Sequence, residues 1–160
     1  MRWLTDDEQR LWRLILDADS IVRRAMEDTL QVHHSLTTAE FAVLVALSEA
    51  EDQMLRLREL CASLRWDRSR TSHQVTRMEK RGLVDKRRCE GDGRGVLVQL
   101  TDEGRERLET AAPDHVESVR AVVFDQLDSM TDQELASITK FLTAITSSPR
   151  ARELTDSISE

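Results

Sequence analysis

The stretch from Asp67 to Leu83, DRSRTSHQVTRMEKRGL, carries side chains whose types and spacing suit recognition of a polyanion. At about 100° per residue, a helix would place Thr71, Val75, Met78 and Gly82 on one side. The opposite side would carry the polar and basic residues Ser69, Ser72, His73, Thr76, Arg77 and Lys80. Hydroxyl, imidazole and guanidinium groups are the donors and acceptors that reach base edges and phosphates. The pattern predicts a helix that packs with one face and contacts a groove of duplex DNA with the other.

An ordinary amphipathic surface helix would show the same apolar stripe. The charge around the helix distinguishes a DNA-contacting helix from such a surface helix. The whole chain has a net charge of −7, which by itself disfavours nucleic acid. Between Arg65 and Arg94, however, ten Lys or Arg stand against five Asp or Glu, so this segment is +5 and the rest is −12. A basic segment on an acidic body can bind phosphates while the remaining surface repels misplaced DNA. The charge distribution therefore favours DNA.

Length and composition restrict the class of protein. A chain of 160 residues, 39% of them hydrophobic, can bury a core of its own, and five Gly with two Pro are typical of a mostly helical protein. No apolar run approaches the roughly 20 residues that span a bilayer, and the N-terminus lacks a signal-peptide core. We therefore expect a cytoplasmic protein without membrane contact. Two cysteines, Cys61 and Cys89, are too few for a disulfide framework and lack a metal-binding spacing.

Three capping boxes predict helix starts, at Thr5–Glu8, Thr37–Glu40 and Thr131–Glu134. The first opens a long amphipathic helix that extends to about His33. The second opens FAVLVALSEA, which is apolar nearly all round and is predicted at the centre of the fold.

A further long helix is predicted to begin after Thr101, an N-cap followed by acidic residues. Pro113 lies inside it and cannot donate a backbone hydrogen bond. We expect a bend between Ala111 and Asp114 rather than an end to the helix.

The residues around the Asp67 helix predict a winged helix-turn-helix. Met54–Leu64 is predicted as a short helix, and Arg65 and Trp66 as the turn into the next one. Two strand-like runs follow, Leu83–Cys89 and Val96–Leu100, joined by the glycine-rich tip EGDGRG. The expected fold class is mainly α with a small β-hairpin wing.

The predicted wing adds cations to this surface. Arg94 lies at its tip, where a guanidinium could enter a narrow minor groove, and Asp92 could orient it through an ion pair. Arg87 and Arg88 lie on its first strand.

The stretch from Leu57 to Leu108 resembles the MarR family of bacterial transcription regulators. The resemblance rests on SRTSHQVTRMEKRGLV in the recognition helix, D-G-R at the wing and LTDEGR at the start of the next helix, in this order and at family spacing. It implies an obligate homodimer that binds a pseudo-palindromic operator, usually as a repressor released by a small ligand or by oxidation. The predicted DNA contacts are Arg68, Ser69, Arg70, Ser72, His73, Thr76, Arg77, Arg87, Arg88, Asp92 and Arg94.

We expect one domain over 1–160, with the winged helix-turn-helix in 35–101, helical dimerisation parts in 1–34 and 102–147, and a flexible tail at 148–160. Apolar residues of the terminal helices are candidates for the dimer interface, with packing inside one chain as the alternative. These residues are Trp3, Leu4, Leu11, Val116, Val119, Val123, Phe124, Leu127, Leu135, Ile138, Phe141, Leu142 and Ile145.

No enzymatic site, cofactor or metal is predicted, because the sequence has no H-x-x-x-H, nucleophile elbow or phosphate loop. His33 and His34 are interpreted as exposed capping residues at a helix end, with a metal site as the alternative. Cys61 is predicted to be buried, whereas Cys89 could be exposed, so redox regulation is a second alternative. A winged-helix protein-interaction module without DNA is a third.

The family resemblance also implies an effector cleft between the dimerisation helices and the winged part, where relatives often hold aromatic carboxylates or other hydrophobic molecules. On that analogy alone, Trp12, His33 and Arg58 are candidate ligand-binding residues. The alternative is that they only pack or face solvent.

Overall fold

A computed structural model of the chain describes residues 2–88 and 95–150. Its elements in chain order are α1 (Asp6–His34), α2 (Thr38–Ser48), β1 (Met54–Arg56), α3 (Leu57–Leu64), α4 (Arg68–Lys80), β2 (Val84–Arg88), β3 (Val96–Leu100), α5 (Asp102–Val119) and α6 (Asp132–Thr146). Single 3₁₀ turns lie at Glu51–Gln53 and Asp125–Leu127, and a π-helical turn at Arg120–Phe124 extends α5. The predicted mainly α fold with a small antiparallel β part is confirmed.

Side-chain caps fix where the helices begin. The hydroxyls of Thr5, Thr37 and Thr131 accept from the amides three residues on at 3.2, 3.1 and 3.4 Å, and each reciprocal glutamate bond is present. Thr101 caps α5 by accepting from the amide of Gly104 at 3.0 Å. Each cap satisfies amides that the first helical turn leaves without partners. The four helix starts predicted from these threonine caps are confirmed.

The predicted helix from Met54 is wrong for its first three residues. Met54–Arg56 forms β1, which pairs antiparallel with β3 so that Leu55 lies opposite Val98. β3 is therefore the central strand, with β2 on its other side. Three residues are too few to show an alternating pattern, and their partner lies far along the chain. Only the tertiary pairing makes this segment a strand.

The core lies where α2, α3, α4 and the sheet meet. Its fully buried side chains include Leu36, Val43, Leu44, Leu47, Leu60, Val75, Met78, Val84 and Val98. Burial of each such side chain contributes about 1.5–3 kcal/mol before entropy is subtracted. The central position predicted for α2 is confirmed.

Helix α5 continues through Pro113 to Val119, as predicted. The departure from α-helical geometry comes later than the predicted bend, in the π-helical turn at Arg120–Phe124. Proline removes one donor but does not end the helix, because its φ is compatible with helical geometry.

Helices α1 and α6, and the residues before α1, carry apolar side chains that the described part of the chain leaves exposed. Trp3 is 79% exposed, Leu11 is 51% exposed, and Phe141, Leu142 and Ile145 of α6 are 43–54% exposed. Helix α6 makes few contacts with the other elements. Among the described helices, none combines the length and apolar character needed to cross a bilayer.

Candidate nucleic-acid interface

A tight turn joins α3 to α4. Arg65 follows α3 in the left-handed region with φ of 53°, and the amide of Trp66 donates to the carbonyl of Cys61 at 3.1 Å. Asp67 then caps α4 by accepting from the amide of Arg70 at 2.8 Å. A left-handed residue closes the last helical turn and reverses the chain direction. The predicted helix-turn-helix has this geometry.

The packing side of α4 holds the helix to the core. Thr71, Val75 and Met78 are fully buried, and Gln74 is only 3% exposed. Gln74 was not expected here, because its amide is polar, but its Oε1 accepts from Arg77. Gly82, which helical projection puts on the same side, lies just beyond the helix, exposed, where its φ of 73° ends α4.

The opposite side, called here the recognition face, consists of Ser69, Ser72, His73, Thr76 and Arg77. Four of these residues are exposed, and Thr76 is half-buried. The Thr76 hydroxyl donates to the carbonyl of Ser72 at 2.8 Å and accepts from Lys86 Nζ at 3.1 Å. Its hydrogen is therefore already used within the protein, as is one Arg77 donor, which is directed at Gln74. The exposed side chains of Ser69, Ser72 and His73 can contact a ligand.

Basic side chains flank the recognition face. Arg68 and Arg70 are exposed in the first turn of α4, and the Arg70 guanidinium lies 4.2 Å from the centroid of the Trp66 ring. Such cation–π packing restricts the arginine without neutralising its charge. Arg87 and Arg88 are exposed on β2.

Lys86 is the cation of β2 that faces α4 rather than solvent. Its Nζ lies 2.9 Å from Glu79 Oε2, so the strand is linked to the recognition helix. The predicted wing-tip residues Asp92 and Arg94, and also Cys89, lie outside the described residues.

A partly buried ion pair fixes the C-terminal end of α4. Arg81 Nη1 lies 2.6 Å from Oε1 and 2.7 Å from Oε2 of Glu40, whose side chain is 5% exposed. Arg81 Nη2 also donates to the carbonyl of Ser35 at 2.8 Å. One guanidinium thus joins the ends of α4 and α1 to the start of α2. This role of Arg81 is not predictable from the sequence, because both partners lie far from it along the chain.

A cavity of about 410 Å³ opens between α1, α2, α3 and α5. Its lining comprises Met26, Leu30, Thr38, Phe41, Ala42, Val45, Ala46, Glu49, Ser63, Leu64 and His115. The His115 ring lies against Phe41 with 4.5 Å between centroids, and its Nδ1 is buried without a hydrogen-bond partner in the described structure. Burial lowers the pKa of His115, so the ring is neutral at pH 7.

The three residues predicted to bind a ligand do not line this cavity. Trp12 and His33 both belong to α1 and are separated by about 30 Å along its axis, at 1.5 Å per residue. Trp12 is 52% exposed. Arg58 is also exposed, and its Nη2 lies 3.9 Å from Glu59 Oε1. The structure therefore does not bring these residues together within one chain. The sequence feature that could have predicted the cavity is the apolar character of α2 on all sides, with His115 as a polar residue on the helix that packs against it.

The end of α1 differs from its predicted form. His33 is exposed as expected, but the His34 side chain is only 10% exposed, and its Nε2 lies 2.8 Å from Asp114 Oδ2. The interpretation of His34 as an exposed cap is wrong, because α5 packs against this end of α1. The described residues contain no group of three or more His, Cys, Asp or Glu that could hold a metal ion. Cys61 is buried as predicted, at 5% exposure.

Solved structures share this architecture over nearly the whole chain. Sco3205, a MarR family transcriptional regulator from Streptomyces coelicolor solved in complex with DNA, matches with a TM-score of 0.82 and 36% identity, covering 93% of this chain and 94% of that one. The MarR family regulator AbsC, also from Streptomyces coelicolor, matches with a TM-score of 0.83 and 38% identity, covering 91% and 96%. The chain belongs to the MarR family of transcriptional regulators.

Sequence comparisons agree with this assignment. The family model described as transcriptional regulator SarA/Rot matches residues 26–110, more than half of the chain. The repressor YetL of Bacillus subtilis is 27% identical over 107 residues, and the repressor MprA of Escherichia coli is 30% identical over 73 residues. The matches span 62% and 42% of those two proteins, less than two thirds of their lengths. These relatives are transcriptional regulators and not enzymes.

Proposed function

We propose that this MarR-type regulator acts as a homodimer that binds a pseudo-palindromic operator in double-stranded DNA, with α4 in the major groove. The observation that carries the proposal is the recognition face, where Ser69, Ser72, His73 and Arg77 are exposed while the other side of α4 is anchored in the core. A helix held rigidly on one side can present base-contacting groups at fixed positions. The 36%-identical Sco3205, solved with DNA, supports this function.

The flanking cations supply the affinity that is independent of sequence. Arg68, Arg70, Arg87 and Arg88 surround the recognition face on α4 and β2. Contacts of this kind to phosphates fix the register of a protein on the duplex, and side chains in the groove then select the sequence. We propose Asp92 and Arg94 as the corresponding minor-groove contact from the wing.

The proposed dimer uses the exposed apolar faces of α1 and α6. Leu11, Ile138, Phe141, Leu142 and Ile145 are 36–54% exposed, and α6 lies largely unsupported by the rest of the chain. Apolar surface of this extent on terminal helices is typical of subunit interfaces. Two copies related by a two-fold axis would present two α4 helices to successive major grooves, about 10 bp apart.

We further propose that the protein represses transcription and is released by a small molecule bound in the cavity beside Phe41 and His115. The two sequence relatives named above are repressors, which supports the direction of regulation. The cavity lies against α2, and Glu40 of α2 holds Arg81 at the end of α4. A ligand that shifts α2 would therefore shift the recognition helix through a contact already present.

The test is a duplex-binding titration with the full-length protein. Operators selected from a random duplex library should contain an imperfect palindrome, and sedimentation should show one dimer per site. The logarithm of the binding constant should fall linearly with the logarithm of salt concentration, because phosphate contacts release counterions. A protein-interaction module without DNA binding would show no selected site, and that result would refute the proposal.

A further inference from the structure

The ammonium group of Lys86, on β2, lies between two side chains of the recognition helix. Its Nζ lies 2.9 Å from Glu79 Oε2 and donates to Thr76 Oγ1 at 3.1 Å. The Lys86 side chain is 30% exposed and that of Glu79 is 37% exposed, so the pair is partly shielded from solvent. Partial burial reduces the screening that weakens fully exposed ion pairs. Lys86, Glu79 and Thr76 are called here the strand–helix link.

The Thr76 hydroxyl is engaged on both sides within this link. Its one hydrogen is donated to the Ser72 carbonyl at 2.8 Å, and its oxygen accepts from Lys86. Phosphate oxygens and most base-edge acceptors require a donor, which this hydroxyl has already used. The geometry of Thr76 therefore fits a role inside the protein better than the DNA contact predicted from the sequence.

The link acts on the strand that carries two of the proposed phosphate contacts. Side chains alternate along β2, so Arg88 lies on the same face of the sheet as Lys86, and Arg87 lies on the other face. Both arginines are exposed. Among the described strands, β2 pairs with β3 alone and forms an edge of the sheet. A contact from the middle of β2 to α4 therefore fixes how far the two arginines lie from the recognition face.

We propose that Lys86 is a positioning residue for DNA binding. Through Glu79 and Thr76 it holds β2 at the distance from α4 at which the strand arginines and the recognition face contact one duplex, and it does not itself contact DNA. This inference rests on the proposed function, because it requires α4 and β2 to face DNA. Without the link, β2 would sample several positions relative to α4, and binding would have to select one of them at a cost in entropy.

The test is a cycle of variants of the full-length protein, titrated with the duplex that the wild type selects. Lys86→Met removes the ammonium group and should lower the affinity about fivefold. In a protein that already carries Arg87→Ala and Arg88→Ala, the same change should lower the affinity less than about twofold, because the positioned groups are absent. Equal losses in the two backgrounds would overturn the proposal, since a direct contact or a general loss of stability acts independently of the arginines.

The salt dependence separates positioning from a direct phosphate contact. A lysine that bound a phosphate would, on substitution by methionine, reduce the salt slope by about one unit per site. Lys86→Met should leave the slope unchanged, because the bound complex keeps its phosphate contacts. Lys86→Arg keeps a cation that can reach both partners and should restore the affinity to within about twofold of the wild type. A reduced slope, or a Lys86→Arg variant that binds no better than Lys86→Met, would contradict the proposal.

The matched control is Lys80→Met, which removes the same charge from an exposed position of α4 outside the link. Its effect on affinity should be the same with and without the strand arginines, because Lys80 is not part of the link.

Thr76→Val keeps the side-chain shape and removes the hydroxyl. It should weaken all selected sites alike, leave the consensus unchanged and add no further loss to Lys86→Met. A changed consensus would show that Thr76 reads bases and would refute its place in the link.

Failure of this inference differs from failure of the proposed function. A wild-type protein that selects no duplex would refute the proposed function, and this inference with it. A wild type that binds its selected duplex, with equal losses from Lys86→Met in the two backgrounds, would refute this inference alone.

Discussion

Arg81 and Glu40 form a two-oxygen ion pair, with Nη1 at 2.6 and 2.7 Å from the two carboxylate oxygens, across the junction between the recognition helix and α2. Glu40 also closes the capping box of α2 by accepting from the Thr37 amide and hydroxyl. One buried carboxylate thus begins α2 and holds the end of α4. The position of the proposed DNA-reading helix therefore depends on the helix that supplies five of the eleven residues lining the cavity.

The first prediction concerns this pair. Arg81→Met should lower the free energy of unfolding by about 2–3 kcal/mol, because it leaves the nearly buried Glu40 carboxylate without its cation. The value is below that of a fully buried pair because the Arg81 side chain is 39% exposed. Urea denaturation at a fixed protein concentration measures it. The control Arg23→Met breaks an exposed i,i+4 pair with Asp19 and should cost at most about 1 kcal/mol. Equal losses in the two variants would contradict the role given to Arg81.

The second prediction concerns the close approach of α5 to the end of α4. A Cβ atom at Gly104 would lie 2.1 Å from the carbonyl oxygen of Leu83 and 3.0 Å from Leu100 Cδ1. Gly104→Ala should therefore destabilise the protein by about 3 kcal/mol, because backbone must move. Gly82→Ala meets open space but has a φ of 73°, so it should cost only about 1–2 kcal/mol of strain. Thermal unfolding of both variants should show this order; the reverse order would refute the steric argument.

The third prediction separates sequence reading from phosphate binding on the recognition face. Arg77 is exposed late in α4, where a guanidinium can clamp a phosphate or take the two acceptors of guanine. As a phosphate contact, Arg77→Ala should weaken all sites alike and reduce the salt slope by about one unit per site. As a base contact, it should relax one symmetric pair of positions at a cost of about 1–3 kcal/mol. We expect the phosphate role or a mixture of the two.

Ser72→Ala is the matched comparison, because Ser72 lies nearer the start of α4, where base edges are usually closest. It should alter the selected consensus with little effect on the salt slope. Site selection and salt titration with both variants distinguish the roles. If neither variant changes the consensus or the slope, α4 is not the DNA-reading element.

The fourth prediction tests the dimer. Leu142 is 54% exposed on the apolar face of α6, so Leu142→Asp should place a charge in the proposed interface and shift sedimentation towards the monomer. Thr143→Asp adds the same charge one residue later, where a rotation of about 100° points the side chain away from the apolar face of α6. This control should remain dimeric. If Leu142→Asp also remains dimeric at low micromolar concentration, α6 does not form the interface.

The fifth prediction is a pH dependence of stability. Burial lowers the pKa of His115 below its ordinary value, so the folded state disfavours the protonated ring and the unfolded state does not. Between the two pKa values the unfolded chain binds more protons, and the free energy of unfolding should fall as pH is lowered through about 6.5. Above that pH the ring is neutral in both the folded and the unfolded state, so it adds no pH dependence to the free energy of unfolding.

His115→Gln should flatten this dependence between about pH 7.5 and about pH 5.5, and the control His33→Gln should retain it. Comparing variants removes the background from carboxylates, which titrate lower. An unchanged pH profile in His115→Gln would show that the ring does not titrate in a buried setting.

The sequence alone determined the four helix starts that threonine caps mark and most of the two faces of α4. Thr5, Thr37, Thr101 and Thr131 cap their helices through amides three residues away, so all the groups involved lie within one turn of chain. The faces of α4 follow from helical periodicity in the same way. Charge counting also located the basic segment, since net charge does not depend on the fold.

Tertiary structure decided the features whose partners lie far apart in the chain. Met54–Arg56 is a strand only because it pairs with β3. Gln74 is buried because its side of α4 packs against the core. Arg81 contacts Glu40, and His115 contacts Phe41. Both pairs are far apart in the sequence, so helical or strand periodicity cannot predict them. Side-chain type predicts what a residue can bind, but which groups share a cavity depends on how helices pack, and that is set by the whole core.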